Sequence, residues 1–205
     1  MLHLLRPLKE KIYNPLGRKL KGVSPNFITF LSLFPGLGAG VAWYFGGTVG
    51  LLLASFLTFA NGFLDLLDGH LARSQSATSD LGDFLDCVVD RYTDVAILTG
   101  IAFSAYANPL LAHFAIVAVL LVSFLGSQSQ ASGGKRVEAG ILGRAERHIL
   151  LIVFPLVQII SLKLGYSTWW KFTPVEWLLL VLAVFGHLTA LFRIKEGYDM
   201  LKGTN

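Results

Sequence analysis

Charge is scarce in this chain, and cysteine is scarcer. Only 15% of its 205 residues are charged, while 54% are hydrophobic. So little charge excludes a disordered protein and fits an ordinary soluble domain badly. The one cysteine, Cys87, excludes an internal disulfide framework. No base accompanies it in sequence, so a catalytic thiol is not expected, and the residue reads as small helix packing. Tandem repeats and low-complexity segments are missing. The basic stretch 1–21 is not followed by a short apolar region with a small-residue cleavage site, so it does not read as a secretory signal. Polar connections never exceed about fifteen residues, which leaves no room for a separate soluble domain.

What the chain does have is apolar length. Interrupted hydrophobic runs suffice for about six spans of roughly 20 residues. They are expected near 27–48, 50–70, 84–106, 109–132, 147–165 and 175–195. The expected fold is all-α: one membrane domain over 1–205, with a six-helix polytopic bundle at 27–195. Ahead of it, Leu2, Leu4, Leu5, Leu8, Ile12 and Leu16 recur at near-helical spacing among Arg6, Lys9, Lys11, Arg18 and Lys19. That pattern predicts a juxtamembrane amphipathic helix over 1–22, lying on an anionic bilayer surface.

Basic residues set the orientation. Arg6, Lys9, Lys11, Arg18, Lys19 and Lys21 precede the first span, and Arg73 follows the second. Lys135, Arg136, Arg144 and Arg147 lie between the fourth and fifth, and Arg193, Lys195 and Lys202 lie at the end. The opposite loops hold only Lys163 and Lys171, and Trp169, Trp170 and Trp177 suit the outer interface. The positive-inside rule therefore predicts cytoplasmic termini in a multi-pass protein of the cell membrane.

Small residues punctuate the spans. Gly36, Gly38 and Gly40 lack the preceding strand a nucleotide fingerprint requires, so Gly36 and Gly40 read as a close helix-packing face. His113, His148 and His187 have no metal-ligand spacing among them.

The acids carry the chemistry. Asp65 and Asp68 are spaced i, i+3, and Asp86 and Asp90 are i, i+4, so each pair shares a helix face. Intramembrane acids are costly and are functional candidates by default. Two facing pairs make an oxygen-rich box suited to two hard divalent cations. Pairing with Arg73 and Arg91 alone would leave most of the acids unneutralised, because Asp80, Asp83 and Asp94 stand nearby as well. Crowded carboxylates disfavour one another's charge unless a cation holds them ionised. Acids of this kind also occur in divalent-cation transporters. Here they cluster at the same end of two adjacent spans, not along a path through the bilayer, and no repeat or pair of broken helices is evident.

The order Asp65-x-x-Asp68-Gly69-x-x-Ala72-Arg73, eight residues, Gly82-x-x-x-Asp86-x-x-x-Asp90 resembles the signature of the CDP-alcohol phosphotransferase family at every position. Chain length, six spans and a Pro25-Asn26-x-x-Thr29 entry are also family-like. The resemblance implies a phospholipid synthase of the EC 2.7.8 class, which joins a CDP-linked lipid to a small alcohol and releases CMP. It implies Asp65, Asp68, Asp86 and Asp90 as ligands of two Mg2+ ions, with Mn2+ as a substitute, and Asp90 also as the general base. It implies Asn26, Thr29, Gly69, Arg73 and Ser79 at the CDP-lipid, and a homodimer with the site at the cytoplasmic surface. CDP-diacylglycerol and CDP-archaeol both stay open as donors, and no nucleic-acid partner is expected.

The Arg144-Ala-Glu146-Arg147 segment is similar to one in members that use inositol phosphate, and Arg193 is in a similar place to another such arginine. These three could converge on the acceptor's phosphate through charge-assisted hydrogen bonds. Inositol 1-phosphate is the favoured acceptor on that basis. The preceding Gln128-Ser-Gln-Ala-Ser-Gly departs from the basic segment usual in such members, which keeps glycerol 3-phosphate and serine open.

Overall fold

The computed structural model describes residues 6–202, with side chains from Tyr13 onward. Seven helices follow one another: α1 (Arg6–Lys19), α2 (Pro25–Phe45), α3 (Gly47–Ser74), α4 (Asp80–Ala102), α5 (Pro109–Ala131), α6 (Arg144–Lys163) and α7 (Pro174–Lys202). No β-strand occurs among the described residues; Trp169 and Phe172 form an isolated bridge. Long helices are the physical answer to apolar runs of this length, because in hydrocarbon each backbone donor must be satisfied within its own segment.

Local signals set the boundaries. Pro25 opens α2 and Pro109 opens α5, positions where a missing N–H goes unnoticed. Asn108 caps α5 by accepting from the backbone N–H groups of Leu110 and Leu111. Gly46 and Gly47 sit at φ 61° and 63° and make the tight reversal between α2 and α3, a conformation that costs glycine little.

The short connections alternate helix direction. At one end the α2–α3 reversal meets the other two connections through Tyr106. Its hydroxyl accepts from Gly47 N at 2.9 Å, and its carbonyl accepts from the Thr173 hydroxyl at 2.6 Å. The opposite end gathers the start of α2, the end of α3, the start of α4, the end of α5, the start of α6 and the end of α7. All the acids singled out above lie there.

Five helices, α2, α3, α5, α6 and α7, are long and apolar enough to cross a membrane. Six such segments were expected, and α4 differs. Asp80, Asp83, Asp86, Asp90, Arg91 and Asp94 interrupt its apolar character, although Ile97, Leu98 and Ile101 are buried in the core. Its neighbours are α2 and α5. Asp90 and Asp94 are turned into the protein while Asp80 and Asp83 are exposed at the start of the helix, so its composition understates how central its later turns are.

Glycines let α2 approach α4. A Cβ on Gly36 would stand 2.3 Å from Thr93 Cγ2, and one on Gly40 2.3 Å from the Ala96 carbonyl oxygen. The expected close-packing face is therefore present. Phe30, Phe34, Phe56, Phe59, Phe124 and Leu191 are each more than half exposed around the bundle. Such a continuous apolar exterior is a liability in water and the ordinary contact surface in lipid.

Residues 6–19 are helical as expected, while the side chains of Leu2, Leu4, Leu5, Arg6, Leu8, Lys9, Lys11 and Ile12 lie outside the described ones. Tyr13 docks α1 on α3, stacking on Phe63 at 5.3 Å between centroids and tilting over His70 at 6.0 Å. Burial, with the Asp65 charge second, raises the Tyr13 hydroxyl above its ordinary value.

Candidate active site

Asp65 and Asp68 project from the last turns of α3, and Asp86 and Asp90 from the first turns of α4. Single carboxylate oxygens of Asp65, Asp68 and Asp86 all lie within 4.8 Å of one another. Asp68 and Asp90 are almost fully buried, at 6% and 7% exposure. Asp68 Oδ2 is buried without any hydrogen-bond partner. A buried carboxylate oxygen rarely stays unpaired, and such an orphan marks a place where an ion belongs. Three hard oxygen donors at this separation fit a divalent cation such as magnesium or manganese.

Arg144 is the protein's own cation at this place. Its Nη2 donates to Asp65 Oδ1 and to Asp90 Oδ1, and its Nη1 stands 3.9 Å from Asp86 Oδ2. It forms no ion pair with Asp68, whose second oxygen keeps its vacancy. One guanidinium thus bridges α3 and α4 from the first residue of α6, a role that planar, permanently charged Arg suits well.

The residues expected at the nucleotide border the same acids. Ser79 caps α4, its hydroxyl accepting from Gly82 N at 3.1 Å. A Cβ on Gly82 would stand 3.2 Å from Asn26 Oδ1 and 3.3 Å from Ser79 Oγ, so Asn26, Ser79 and Gly82 form one small polar group. Thr29 is buried; its hydroxyl donates to the Pro25 carbonyl at 3.2 Å and adjoins the Asp68 carboxyl. Arg73 is exposed and folds back along α3, its Nη1 lying 3.4 Å from where a Gly69 Cβ would be.

The three arginines expected around an acceptor phosphate occupy different settings. Arg144 lies among the acids. Arg147 donates through Nη2 to both oxygens of Asp94, at 3.0 and 2.8 Å, with both side chains 3% exposed. Arg193 donates to the carbonyls of Ala139 at 3.1 Å and Val122 at 2.6 Å, tying α7 to the middle of α5 and to the segment before α6.

Sequence reasoning passed over two groups that the fold brings in. Asp94 is one turn beyond Asp90 and receives Arg147. Arg91 Nη2 stands 3.5 Å from Asp90 Oδ2 and 3.6 Å from Asp94 Oδ2. His148 Nε2 meets Asn61 Oδ1 at 3.1 Å, and Asn61 Nδ2 donates to the Ser32 carbonyl at 2.9 Å. The available signal was spacing. Asp90 and Asp94 are i, i+4 and Arg144 and Arg147 are i, i+3, so each pair shares a face.

A helical bundle with an apolar exterior and a carboxylate cluster at one end defines a multi-pass membrane protein with a candidate metal site. Comparison with known proteins narrows the class. The family model described as CDP-alcohol phosphatidyltransferase matches residues 22–189, and the chain belongs to that family. It is therefore a phospholipid-synthase-type transferase. The chain is 29% identical over 167 residues to an archaetidylinositol phosphate synthase of Pyrococcus horikoshii, covering 80% of this chain and 86% of that one. It is 28% identical over 204 residues to the protein of the same name from Methanothermobacter thermautotrophicus, covering 98% and 96%. In structure it is similar to Mycobacterium tuberculosis phosphatidylinositol phosphate synthase with CDP-DAG bound, at TM-score 0.75 and 22% identity, covering 92% of this chain and 94% of that one. The same enzyme in complex with manganese and citrate gives TM-score 0.76 at 23% identity, covering 91% and 89%.

Proposed function

We propose that the protein transfers a phosphatidyl or archaetidyl group from a CDP-linked lipid to inositol 1-phosphate and releases CMP. The observation that carries this reading is the convergence of Asp65, Asp68, Asp86 and Asp90 at one end of the bundle, beside Asn26, Ser79, Gly82 and Arg73. The names of the relatives support the inositol phosphate acceptor over glycerol 3-phosphate and serine.

Asp65, Asp68 and Asp86 would hold a divalent cation, with Asp90 completing the set for a second ion. The metal supplies charge neutralisation at the diphosphate as CMP leaves. The chain's own residues do the rest. Asn26, Thr29, Gly69, Arg73 and Ser79 seat the CDP portion. Arg144 would turn from the acids to the phosphate of the acceptor, with Arg147 and Arg193 held behind it on their own partners. The Asp90 carboxylate takes the proton of the acceptor hydroxyl, whose oxygen bonds to the lipid-bearing phosphorus as the bridging bond to CMP breaks. A base placed in this way needs hydrogen-bond reach to that hydroxyl. Confining both substrates at one surface replaces a random encounter with an oriented one.

In this reading α4 is the sixth span, embedded among the others with Asp90 and Asp94 turned inward. The helix α1 lies in the membrane interface, the site and both termini face the cytoplasm, and the protein works as a homodimer. The distribution of basic residues supports the orientation.

The test is CMP release by purified protein in detergent with Mg2+ or Mn2+, with CDP-diacylglycerol and CDP-archaeol as donors. Inositol 1-phosphate, glycerol 3-phosphate, serine and inositol would be compared as acceptors. Release with inositol 1-phosphate alone is expected. Release only with another acceptor would replace the substrate, and release with none would sink the reading.

A further inference from the structure

Asp94 lies outside the sequence signature, yet it is the hub of the charged groups behind it. Its carboxylate receives both hydrogen bonds from Arg147 and faces Arg91, whose Nη2 also approaches Asp90. The pair it makes with Arg147 is among the most deeply buried charged contacts described here, at 3% side-chain exposure on each side. A buried pair of this kind is poor evidence for stability, since apolar replacements of similar volume often serve the fold as well or better. Its retention calls for another reason.

Packing supplies one. Helix α6 packs chiefly on α3 and α7, while α4 packs on α2 and α5. The relation between α4 and α6 is set by polar side chains, through Arg144 with Asp65, Asp86 and Asp90 and through Arg147 with Asp94. Arg144 and Arg147 are one turn apart on α6, so whatever fixes Arg147 fixes the start of that helix against the acids.

The hydrogen-bond inventory supplies a second reason. Arg147 uses Nη2 alone for both Asp94 oxygens, and its Nε is buried without a partner. A purely structural arginine would be expected to use its donors. An arginine held by one nitrogen, with a buried donor still uncommitted, is oriented for something else. The Arg147 guanidinium is almost fully buried, so it serves the acceptor through the partly exposed Arg144 one turn away and not by contact.

We propose that Asp94 is a positioning residue: it fixes the Arg147 guanidinium, and with it the start of α6, so that Arg144, one turn away and partly exposed, is held where it meets the acceptor's phosphate. This rests on the transferase reading above. The path is Asp94 to Arg147 to Arg144 to acceptor, with Asp94 and Arg147 touching no substrate.

The experiment measures CMP release with varied inositol 1-phosphate and varied CDP-lipid, together with Mn2+ binding by calorimetry and thermal unfolding. The variants are Asp94→Asn, Arg147→Gln, the two combined, and Asp94→Leu with Arg147→Met. For Asp94→Asn the acceptor KM should rise at least tenfold while the CDP-lipid KM and Mn2+ affinity stay within twofold. Combined with Arg147→Gln, it should add nothing to the acceptor defect of that change alone. The apolar Leu/Met pair should unfold near the wild-type temperature yet keep the acceptor defect, which separates positioning from folding even if Asp94→Asn folds poorly. An unmoved acceptor KM in Asp94→Asn, or recovery of the acceptor KM together with stability in the Leu/Met pair, would overturn the proposal. A wild type that releases no CMP with any acceptor would overturn the transferase reading, and this inference with it.

Discussion

Gly40 and Gly100 meet backbone to backbone: a Cβ added to Gly100 would lie 2.0 Å from the Gly40 carbonyl oxygen. No rotamer change can relieve an overlap with a main chain, so α2 and α4 would have to separate. The change Gly100→Ala should therefore destabilise by about 1–3 kcal/mol, seen as a lower unfolding temperature in detergent. The change Gly38→Ala is the control. Its Cβ would meet only the flexible Leu57 Cδ1, at 3.3 Å, and helix propensity favours Ala over Gly by about 0.5–1 kcal/mol. Equal losses from the two would refute the backbone-contact account.

Asp68 carries a buried oxygen with no partner. Replacing the carboxylate by an amide removes a candidate metal ligand and also a buried charge that is only partly satisfied in the metal-free protein. Calorimetry should show Asp68→Asn losing at least about tenfold in Mn2+ affinity. Its unfolding temperature in chelator should equal or exceed that of the wild type. A large loss of stability with metal affinity intact would assign Asp68 to structure alone.

Arg144 neutralises Asp65, Asp86 and Asp90 from within the chain. Without it the metal-free site is a cluster of like charges. In chelator, Arg144→Gln should lose about 1.5–3 kcal/mol, the range for hydrogen bonds to charged groups. Added Mn2+ should then raise its unfolding temperature by more than it raises that of the wild type. Equal metal-induced shifts in the two proteins would show that Arg144 and the metal do not share those carboxylates.

Asp90 is buried beside Asp65 and Asp86 and is reached by both Arg144 and Arg91. As general base it should be worth about 10²–10⁴ in rate. Asp90→Asn should lose CMP release by that factor while its elution profile and unfolding temperature stay close to wild type. The exposed Asp83 on the same helix provides the comparison, and Asp83→Asn should retain activity. Treatment with EDTA should abolish release in every active variant, and Mg2+ or Mn2+ should restore it.

Much of this protein follows from order along the chain. The apolar runs placed the helices from α2 to α7 to within a few residues at most ends, and Gly36 and Gly40 announced the seam with α4. The signature spacing put Asp65 with Asp68 on one face and Asp86 with Asp90 on another, because helical periodicity alone decides which residues share a face. Hydropathy separates α4 from the five other long helices for a physical reason. It sums a helix over all its faces, and here Asp90 and Asp94 stand on a surface the rest of the bundle covers while Asp80 and Asp83 stay exposed.

Tertiary structure decided what meets across helices. Arg144 is 79 residues from Asp65, and Arg147 is 53 from Asp94. Three arginines that read alike in sequence end in three settings: among the motif acids, on a buried carboxylate, and on the carbonyls of Val122 and Ala139. Periodicity gives each helix its faces but not its rotation or depth against a neighbour. Those are set by the close approach at Gly36, Gly40 and Gly100 and by the requirement that buried charges find partners. The sequence alone determined the helices and the acid motif; the packing decided which cations serve which acids.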